Sequence, residues 1–376
     1  MNKNNNIEDE IRALKEEDYG ILDAQHSFMV DGVLGGFKAA IHKLHYTFIK
    51  QILLGIMSGV IIGFGYVACI IAMVSIQDTS FKAFGTILLG FIFPGCIILI
   101  TFLGGGLFTS HVFSTIPVFK GCGSRRLYLK GIFGVLLGNF AGTFIFVALF
   151  SAAGGLWDNK DFLTKVFSMA MHKMYLVNHD ILNGVAISGM SILATVGIGI
   201  ASGILCNMMV CATLPLASTT KNTAAIILMM IFPIAYFAIG GFQHGPANSF
   251  FMWMMLFEAI FNHSDVVIGV IVDGAGDKTE FIKEIHPQIQ YFFLFIAIST
   301  LPTLIGNWFG GALLLPGILY FINKEYASVL FKKIKLEYLE EKSGNFKAKA
   351  EKQMKKLKQK IKEKQADIDS QENNKN

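Results

Sequence analysis

The chain has 376 residues, of which 53% are hydrophobic and only 16% are charged, and its mean hydropathy is +0.52. This balance excludes an ordinary soluble globular domain, where roughly a quarter of the residues are charged, and it predicts a membrane protein. The net charge of +5 comes largely from a tail in which Lys and Glu alternate over residues 332–364. That pattern is typical of a solvated helical or disordered tail, or of one that lies against anionic lipid, and no nucleic-acid partner is expected.

Six stretches of the chain lack Asp, Glu, Lys and Arg. They cover residues 51–77, 83–119, 131–157, 181–220, 222–257 and 285–323. A helix needs only about 20 apolar residues to cross the hydrocarbon core, so each stretch holds one span. The predicted organisation is an N-terminal cytoplasmic segment over residues 1–45, a six-helix transmembrane domain over 46–325, and a charged cytoplasmic tail over 326–376.

Basic residues cluster in alternate connections between these stretches. Lys120, Arg125 and Arg126 lie between the second and third stretches, and Lys221 lies between the fourth and fifth. The fifth connection, on the opposite side, carries the acidic residues Asp265, Asp273, Asp277, Glu280 and Glu284. Because Lys and Arg are retained on the cytoplasmic side, the pattern predicts that both termini are cytoplasmic. We expect a multi-pass protein of the plasma membrane.

The two halves of the membrane domain contain the same short phrases. The letters IFP occur at 92–94 and 231–233, a Gly run follows at 104–106 and 240–241, and a Gly-Asn pair occurs at 138–139 and 306–307. The repeat unit is three spans. Because three is odd, the second copy enters the membrane with the opposite topology, and the sequence predicts an inverted repeat.

Gly and Pro within the second and fifth spans predict that these two helices are broken. Glycine exposes backbone and proline removes a donor, and such backbone is tolerated at membrane depth only where protein buries it or a cavity borders it. The segments that follow the breaks are 107–110 and 242–248. We expect a solute pathway between them, although glycines that merely permit close helix packing are an alternative.

These phrases resemble those of the formate/nitrite transporter family, whose members carry small monovalent anions together with protons. The segments GGGLFT at 104–109, CNMMVC at 206–211 and GFQHGPAN at 241–248 are similar to the family's motifs, as are the Gly-Asn pairs. The resemblance covers roughly residues 38–325 and implies an aquaporin-like six-helix fold that forms a homopentamer with one pore in each protomer.

The resemblance also implies roles for individual residues. It assigns His244, Thr109 and Asn207 to the proton and substrate pathway, and Phe93, Ile97, Phe108 and Phe237 to constrictions. It also assigns Lys38 and Ser191 to the vestibules. Lys38 matches the family only if one residue is inserted, and Ser191 occupies the position of a family lysine. Two acidic residues of the family are replaced here by Gly106 and Gln243.

The chemistry of such a pore centres on His244. An anion at the bilayer centre is costly, so apolar constrictions exclude formate, nitrite or lactate as charged species and admit the protonated acid. Burial disfavours imidazolium, so we expect His244 to be neutral yet able to pass a proton to an approaching anion. In a rival account the low dielectric of the vestibule protonates the solute, and bulk water supplies the proton.

Two other classes of protein are alternatives for this sequence. An aquaporin-like channel for small neutral solutes shares the architecture but uses Asn-Pro-Ala at both breaks, and neither half of this chain has it. A membrane enzyme needs several His and carboxylates on facing spans, whereas only His111 and His244 lie deep within the charge-free stretches. We therefore expect a transporter without metal or cofactor.

Overall fold

The structure is a computed structural model. It describes residues 3–81, 83–154, 159–261, 266–274, 277–285 and 288–344, together with 354, 357–359 and 361. The predictions for Asp265 and for the rest of the tail beyond Gly344 fall outside these residues.

Helices make up most of the described chain. They are α1 Lys3–Lys15, α2 Phe28–His42, α3 Phe48–Val74, α4 Phe84–Ile92, α5 Pro94–Leu103, α6 Phe108–His111, α7 Thr115–Phe119, α8 Arg125–Ala152, α9 Lys160–His172, α10 Tyr175–Asn183, α11 Gly189–Ser218, α12 Thr223–Ile239, α13 Gly245–Phe261, α14 Ile289–Phe295, α15 Leu301–Phe309, α16 Leu315–Ile322 and α17 Lys324–Ser343. Short 3-10 turns lie at Gly20–Leu22, Lys43–His45 and Val112–Ser114, and π turns at Ile296–Thr300 and Gly310–Leu314.

Five helical segments among the described residues are long and apolar enough to cross a membrane. They are Phe48–Val74, Phe84–Leu103, Arg125–Ala152, Gly189–Ser218 and Ile289–Ile322, and the shorter Thr223–Ile239 is also apolar. A span needs about 20 apolar residues, which each of the five supplies. The chain is an integral membrane protein.

Glycines bring the spans into backbone contact. A Cβ added to Gly138 of α8 would lie 2.2 Å from the carbonyl oxygen of Ile52 in α3. A Cβ on Gly306 of α15 would lie 2.1 Å from the carbonyl oxygen of Ile200 in α11. Small residues allow such close approach, which drives helix association in lipid, where the hydrophobic effect is absent.

Two of the apolar helices, α5 and α12, each end at a glycine, and another helix begins after a short irregular segment. Helix α5 ends at Leu103, Gly104 has a φ of +82°, and α6 begins at Phe108. Helix α12 ends at Ile239, Gly241 has a φ of +68°, and α13 begins at Gly245. Only glycine adopts such left-handed backbone without strain, which explains why glycine stands at both stops.

The fifth connection contains a β-hairpin that the all-α prediction lacks. Strand β1, Val266–Gly274, pairs antiparallel with β2, Asp277–Ile285, from Val266 opposite Ile285 to Gly274 opposite Asp277. Residues 266–272 read VVIGVIV, a short run of β-branched residues that favours a strand. The charge of this connection alone does not predict these strands.

The N-terminal helix α1 packs against the last helix, α17. Lys15 forms an ion pair with Glu340 at 2.8 Å, and Lys332 pairs with Glu17 at 2.6 Å. Beneath these pairs a small apolar cluster contains Ile11, Leu14 and Leu339. The two ends of the described chain therefore lie on the same side of the molecule.

Candidate functional site

Three cavities follow one another through the middle of the helical bundle. The central cavity, of about 20 Å³, is lined by Ile62, Phe93, Cys96, Ile97, Ile100, Leu107, Val210, Ile234, Phe237 and His244. A cavity of about 540 Å³, here the Lys43 cavity, shares Ile97, Ile100 and Leu107 with it. A cavity of about 80 Å³, here the Lys173 cavity, shares Phe93 and Phe237 with it. Apolar side chains thus separate the central cavity from its neighbour on each side.

His244 is a polar group in this apolar cavity. It stands just before α13, where the backbone N–H of Ala247 donates to its Nδ1 at 3.1 Å. Nδ1 therefore carries no proton, and the neutral ring bears its hydrogen on Nε2. Nε2 lies 3.0 Å from Thr109 Oγ1 and donates to it. An imidazolium would put a second N–H against that of Ala247, so this loop favours the neutral ring.

Thr109 and Asn207 meet behind His244. The carbonyl oxygen of Thr109 accepts from Asn207 Nδ2 at 3.2 Å and from Cys211 Sγ at 2.9 Å. Asn207 Nδ2 also donates to the carbonyl oxygen of Asn307 at 2.6 Å. The structure thus brings Thr109, His244 and Asn207 together, with Asn207 holding backbone and the Thr109 hydroxyl touching the histidine.

Two buried asparagines hold the irregular segments in place. Asn139 Oδ1 accepts from the N–H of Phe108 at 3.0 Å, while its Nδ2 donates to the carbonyl oxygens of Gly55 and Gly106. Asn307 does the same in the other half. Its Oδ1 accepts from the N–H of Gly245 at 2.7 Å, and its Nδ2 donates to the carbonyl oxygens of Gly203 and Gln243. These bonds satisfy backbone groups that the helix ends leave free.

The four aromatic and aliphatic residues assigned to constrictions occupy different places. Phe93, Ile97 and Phe237 line the central cavity, and the rings of Phe93 and Phe237 meet edge to face at 6.0 Å. Phe108 is instead buried in a separate cluster that includes Val112 and the base of α8. The side chain of Phe108 lies there because the Asn139 bond fixes its backbone at the start of α6.

Each outer cavity is lined by a half-buried lysine. Lys43, in the turn before α3, has its Nζ 3.5 Å from Ser110 Oγ. Lys173, just after α9, has its Nζ 5.2 Å from the centre of the Phe251 ring. Burial lowers the pKa of each lysine to about 8. At neutral pH both side chains are mostly charged, and each cavity carries positive charge.

The two vestibule positions named from sequence lie elsewhere. Lys38 is exposed on α2 and lines a separate cavity of about 310 Å³ against α17, together with Glu337 and Glu341. Ser191 is partly exposed in the first turn of α11, with its Oγ 2.9 Å from Ser188 Oγ. Lys43 and Lys173 were not predicted from the sequence, although a repeated His-Lys pair at 42–43 and 172–173 marks both.

Comparison with known proteins identifies the family. The family model described as "Formate/nitrite transporter" matches residues 33–322, which is most of the chain. The chain belongs to the formate/nitrite transporter family. Membership of this family places it among transport proteins rather than enzymes.

Individual relatives agree with this membership. The chain is 27% identical over 280 residues to formate channel FocB of Escherichia coli strain K12, covering 74% of this chain and 88% of that protein. It is 24% identical over 292 residues to the formate-nitrite transporter of Plasmodium ovale, covering 76% and 80%. A solved structure described as an FNT family ion channel matches with a TM-score of 0.57 at 19% identity, covering 78% of this chain and 98% of that one, and so shares its fold.

Proposed function

We propose that this family member carries small monovalent weak-acid anions of the formate, nitrite or lactate class across the membrane together with a proton. The observation that carries the proposal is the position of His244, which lines an apolar cavity between two lysine-bearing cavities and is hydrogen-bonded to the buried Thr109. Relatives described as formate channels and as formate-nitrite transporters support the substrate class.

The charge distribution supports proton linkage. Lys43 and Lys173 attract an anion from either side, because a charged group at the mouth of a cavity raises the local concentration of its counter-ion. Between them the solute meets Ile97, Phe93 and Phe237, which offer no compensation for a full negative charge. The species that crosses is therefore the neutral acid, and each anion takes one proton with it.

In this proposal His244 offers the solute a polar contact and does not supply the proton. Its Nε2–H donates to the hydroxyl oxygen of the buried Thr109, which holds the neutral ring against the central cavity. To give away a proton and remain neutral, His244 would first have to gain one at Nδ1, where the N–H of Ala247 already points. This geometry favours the account in which the anion is protonated before it reaches the central cavity.

Paired variants of His244 test the proposal. Uptake of labelled formate, lactate and nitrite into proteoliposomes is measured at two external pH values for the wild type, His244→Asn and His244→Phe. We expect acid-stimulated uptake in the wild type and in His244→Asn, which keeps hydrogen bonding, and its loss in His244→Phe, which keeps only volume. Loss in both variants would make His244 the proton donor, and full uptake in both would remove it from the pathway.

We also propose how the membrane domain is built. Six spans form an inverted three-plus-three repeat with the second and fifth helices broken, as in an aquaporin-like fold, and both termini face the cytoplasm across the plasma membrane. The matching bonds of Asn139 and Asn307 to their irregular segments support the repeat. A homopentamer, with one pathway in each protomer, follows from the family resemblance.

A further inference from the structure

A second buried histidine lies at the mouth of the pathway, where the proposed mechanism gives it no role. His111 ends α6, is only 2% exposed and lines the Lys43 cavity. Its Nδ1 lies 2.9 Å from the carbonyl oxygen of Leu107, and its Nε2 lies 2.8 Å from Gln51 Oε1. Each ring nitrogen therefore faces an oxygen.

The orientation of the Gln51 side-chain amide decides whether Gln51 accepts a hydrogen bond from His111 Nε2 or donates one to it. Gln51 Nε2 donates to the carbonyl oxygen of Lys43 at 2.6 Å. Exchanging the nitrogen and oxygen of the amide would press two oxygens together at that distance. Since both Leu107 O and Gln51 Oε1 can only accept, both ring nitrogens of His111 must donate, and a neutral imidazole has only one N–H.

The second half of the molecule supports this orientation. Gln243 Nε2 donates to the carbonyl oxygen of Lys173 at 3.1 Å, as Gln51 does to that of Lys43. Gln243 Oε1 accepts from three donors, Asn248 Nδ2, Ser299 Oγ and Thr303 Oγ1. In both halves a glutamine thus holds the backbone of the cavity lysine with its nitrogen and receives donors at its oxygen.

The charged and titratable groups around His111 come from the turn before α3, from α3 itself and from α11. Lys43 Nζ lies 3.5 Å from Ser110 Oγ, and the Ser110 hydroxyl donates to the same Leu107 oxygen that His111 contacts. Lys50 and Tyr46 line the same cavity, and the Cys211 thiol of α11 donates to the carbonyl oxygen of Thr109. Burial and the charge of Lys43 oppose an imidazolium, whereas its two oxygen acceptors stabilise it.

The lining of the Lys43 cavity contains cations and hydroxyls but no carboxylate among the residues that the structure describes. A buried cation beside a half-buried one favours an anionic partner. We propose that His111 is held as an imidazolium by Leu107 and Gln51 and that it forms, with Lys43 and Ser110, a binding site for one small carboxylate or nitrite anion. The nature of the anion rests on the proposed function, whereas the charge of His111 does not.

Nitrogen NMR of the full chain, labelled at histidine and held in lipid nanodiscs, tests the charge directly. Signals are assigned with His111→Asn and His244→Asn. At neutral pH we expect two protonated ring nitrogens for His111 and a neutral Nε2–H ring for His244. Gln51→Leu, which removes one acceptor, should return His111 to the neutral form, whereas the matched variant Gln243→Leu in the other half should leave it charged. A neutral His111 in the wild type would overturn the proposal.

Titration with formate separates this inference from the transport proposal. Formate should shift the His111 signals of the wild type, and Lys43→Met should weaken that binding by about tenfold. Binding without any uptake in proteoliposomes would leave the anion site standing and overturn the transport function. Uptake together with His111 signals that formate does not move would overturn the anion site alone.

Discussion

At the scale of single residues, Asn139 and Asn307 hold the two irregular segments in place, because each side-chain amide satisfies three backbone groups. Asn139→Ala leaves the N–H of Phe108 and the carbonyl of Gly106 without that partner. A buried polar group without a partner costs about 1–3 kcal/mol, so we expect this variant to unfold at a clearly lower temperature in detergent. Asn183→Ala, at an exposed position, is the control and should change the midpoint little. Equal midpoints for the two variants would contradict the role of Asn139.

The half-buried lysines of the outer cavities predict how transport depends on pH. Because burial lowers the pKa of Lys43 to about 8, its charge is present below that pH and is lost as the pH rises through it. The apparent KM for formate should therefore rise on the alkaline side of this range. Lys43→Arg keeps its charge there and should remove much of the rise, while Lys43→Met should have a high KM at every pH. A wild-type KM that stays flat across this range would rule the lysine out.

The sequence identified some site residues and missed others for a physical reason. His244, Thr109 and Asn207 lie in motifs of fixed spacing, so their positions could be predicted without the fold. Lys43 and Lys173 lie in turns whose distance from the next span differs between the halves, because α10 is inserted after Lys173 alone. The family resemblance therefore led to Lys38, with one residue inserted, and to Ser191, by spacing from Asn207, whereas the lysines that line the two outer cavities are known only from the fold.

At the scale of helices, close glycine contacts predict which substitutions the bundle tolerates. Gly306→Ala would place a methyl group against the carbonyl oxygen of Ile200, with no flexible side chain to move aside, and should separate α15 from α11. Gly197, also within α11, has nothing within 4 Å of an added Cβ. We expect Gly306→Ala to reduce the yield of folded protein in size-exclusion chromatography and Gly197→Ala to keep it. Normal yield from Gly306→Ala would show that the helices can separate without loss of fold.

The helix stops near Gly104 and Gly241 show what a sequence can predict at this scale, since the positive φ at each requires a residue without a side chain. The hairpin of β1 and β2 could not be predicted from charge alone. Helices α9 and α10 in the third connection were likewise not predicted, because α9 is a short helix that carries Lys, Asp and His and so has no pattern of a membrane span.

At the scale of the whole molecule, the pairing of α1 with α17 fixes the relative position of the two termini. A tag before Met1 and a tag after Asn376 should therefore share one fate when intact cells are treated with protease, and the basic connections predict that both are protected. Both tags should be cleaved once the membrane is permeabilised. Cleavage of one tag alone in intact cells would contradict an even number of spans.

The small volume of the central cavity has a consequence for the cell's energy supply. At about 20 Å³ it holds no more than one water molecule, and apolar side chains bound it on both sides. A proton crosses a membrane protein only through a continuous file of hydrogen-bonded waters or titratable groups, and the apolar side chains on both sides of this cavity would interrupt such a file. The protein should thus not conduct protons in the absence of a transported anion. Proteoliposomes loaded with a pH-sensitive dye should hold an imposed proton gradient until formate is added, and the gradient should then decay.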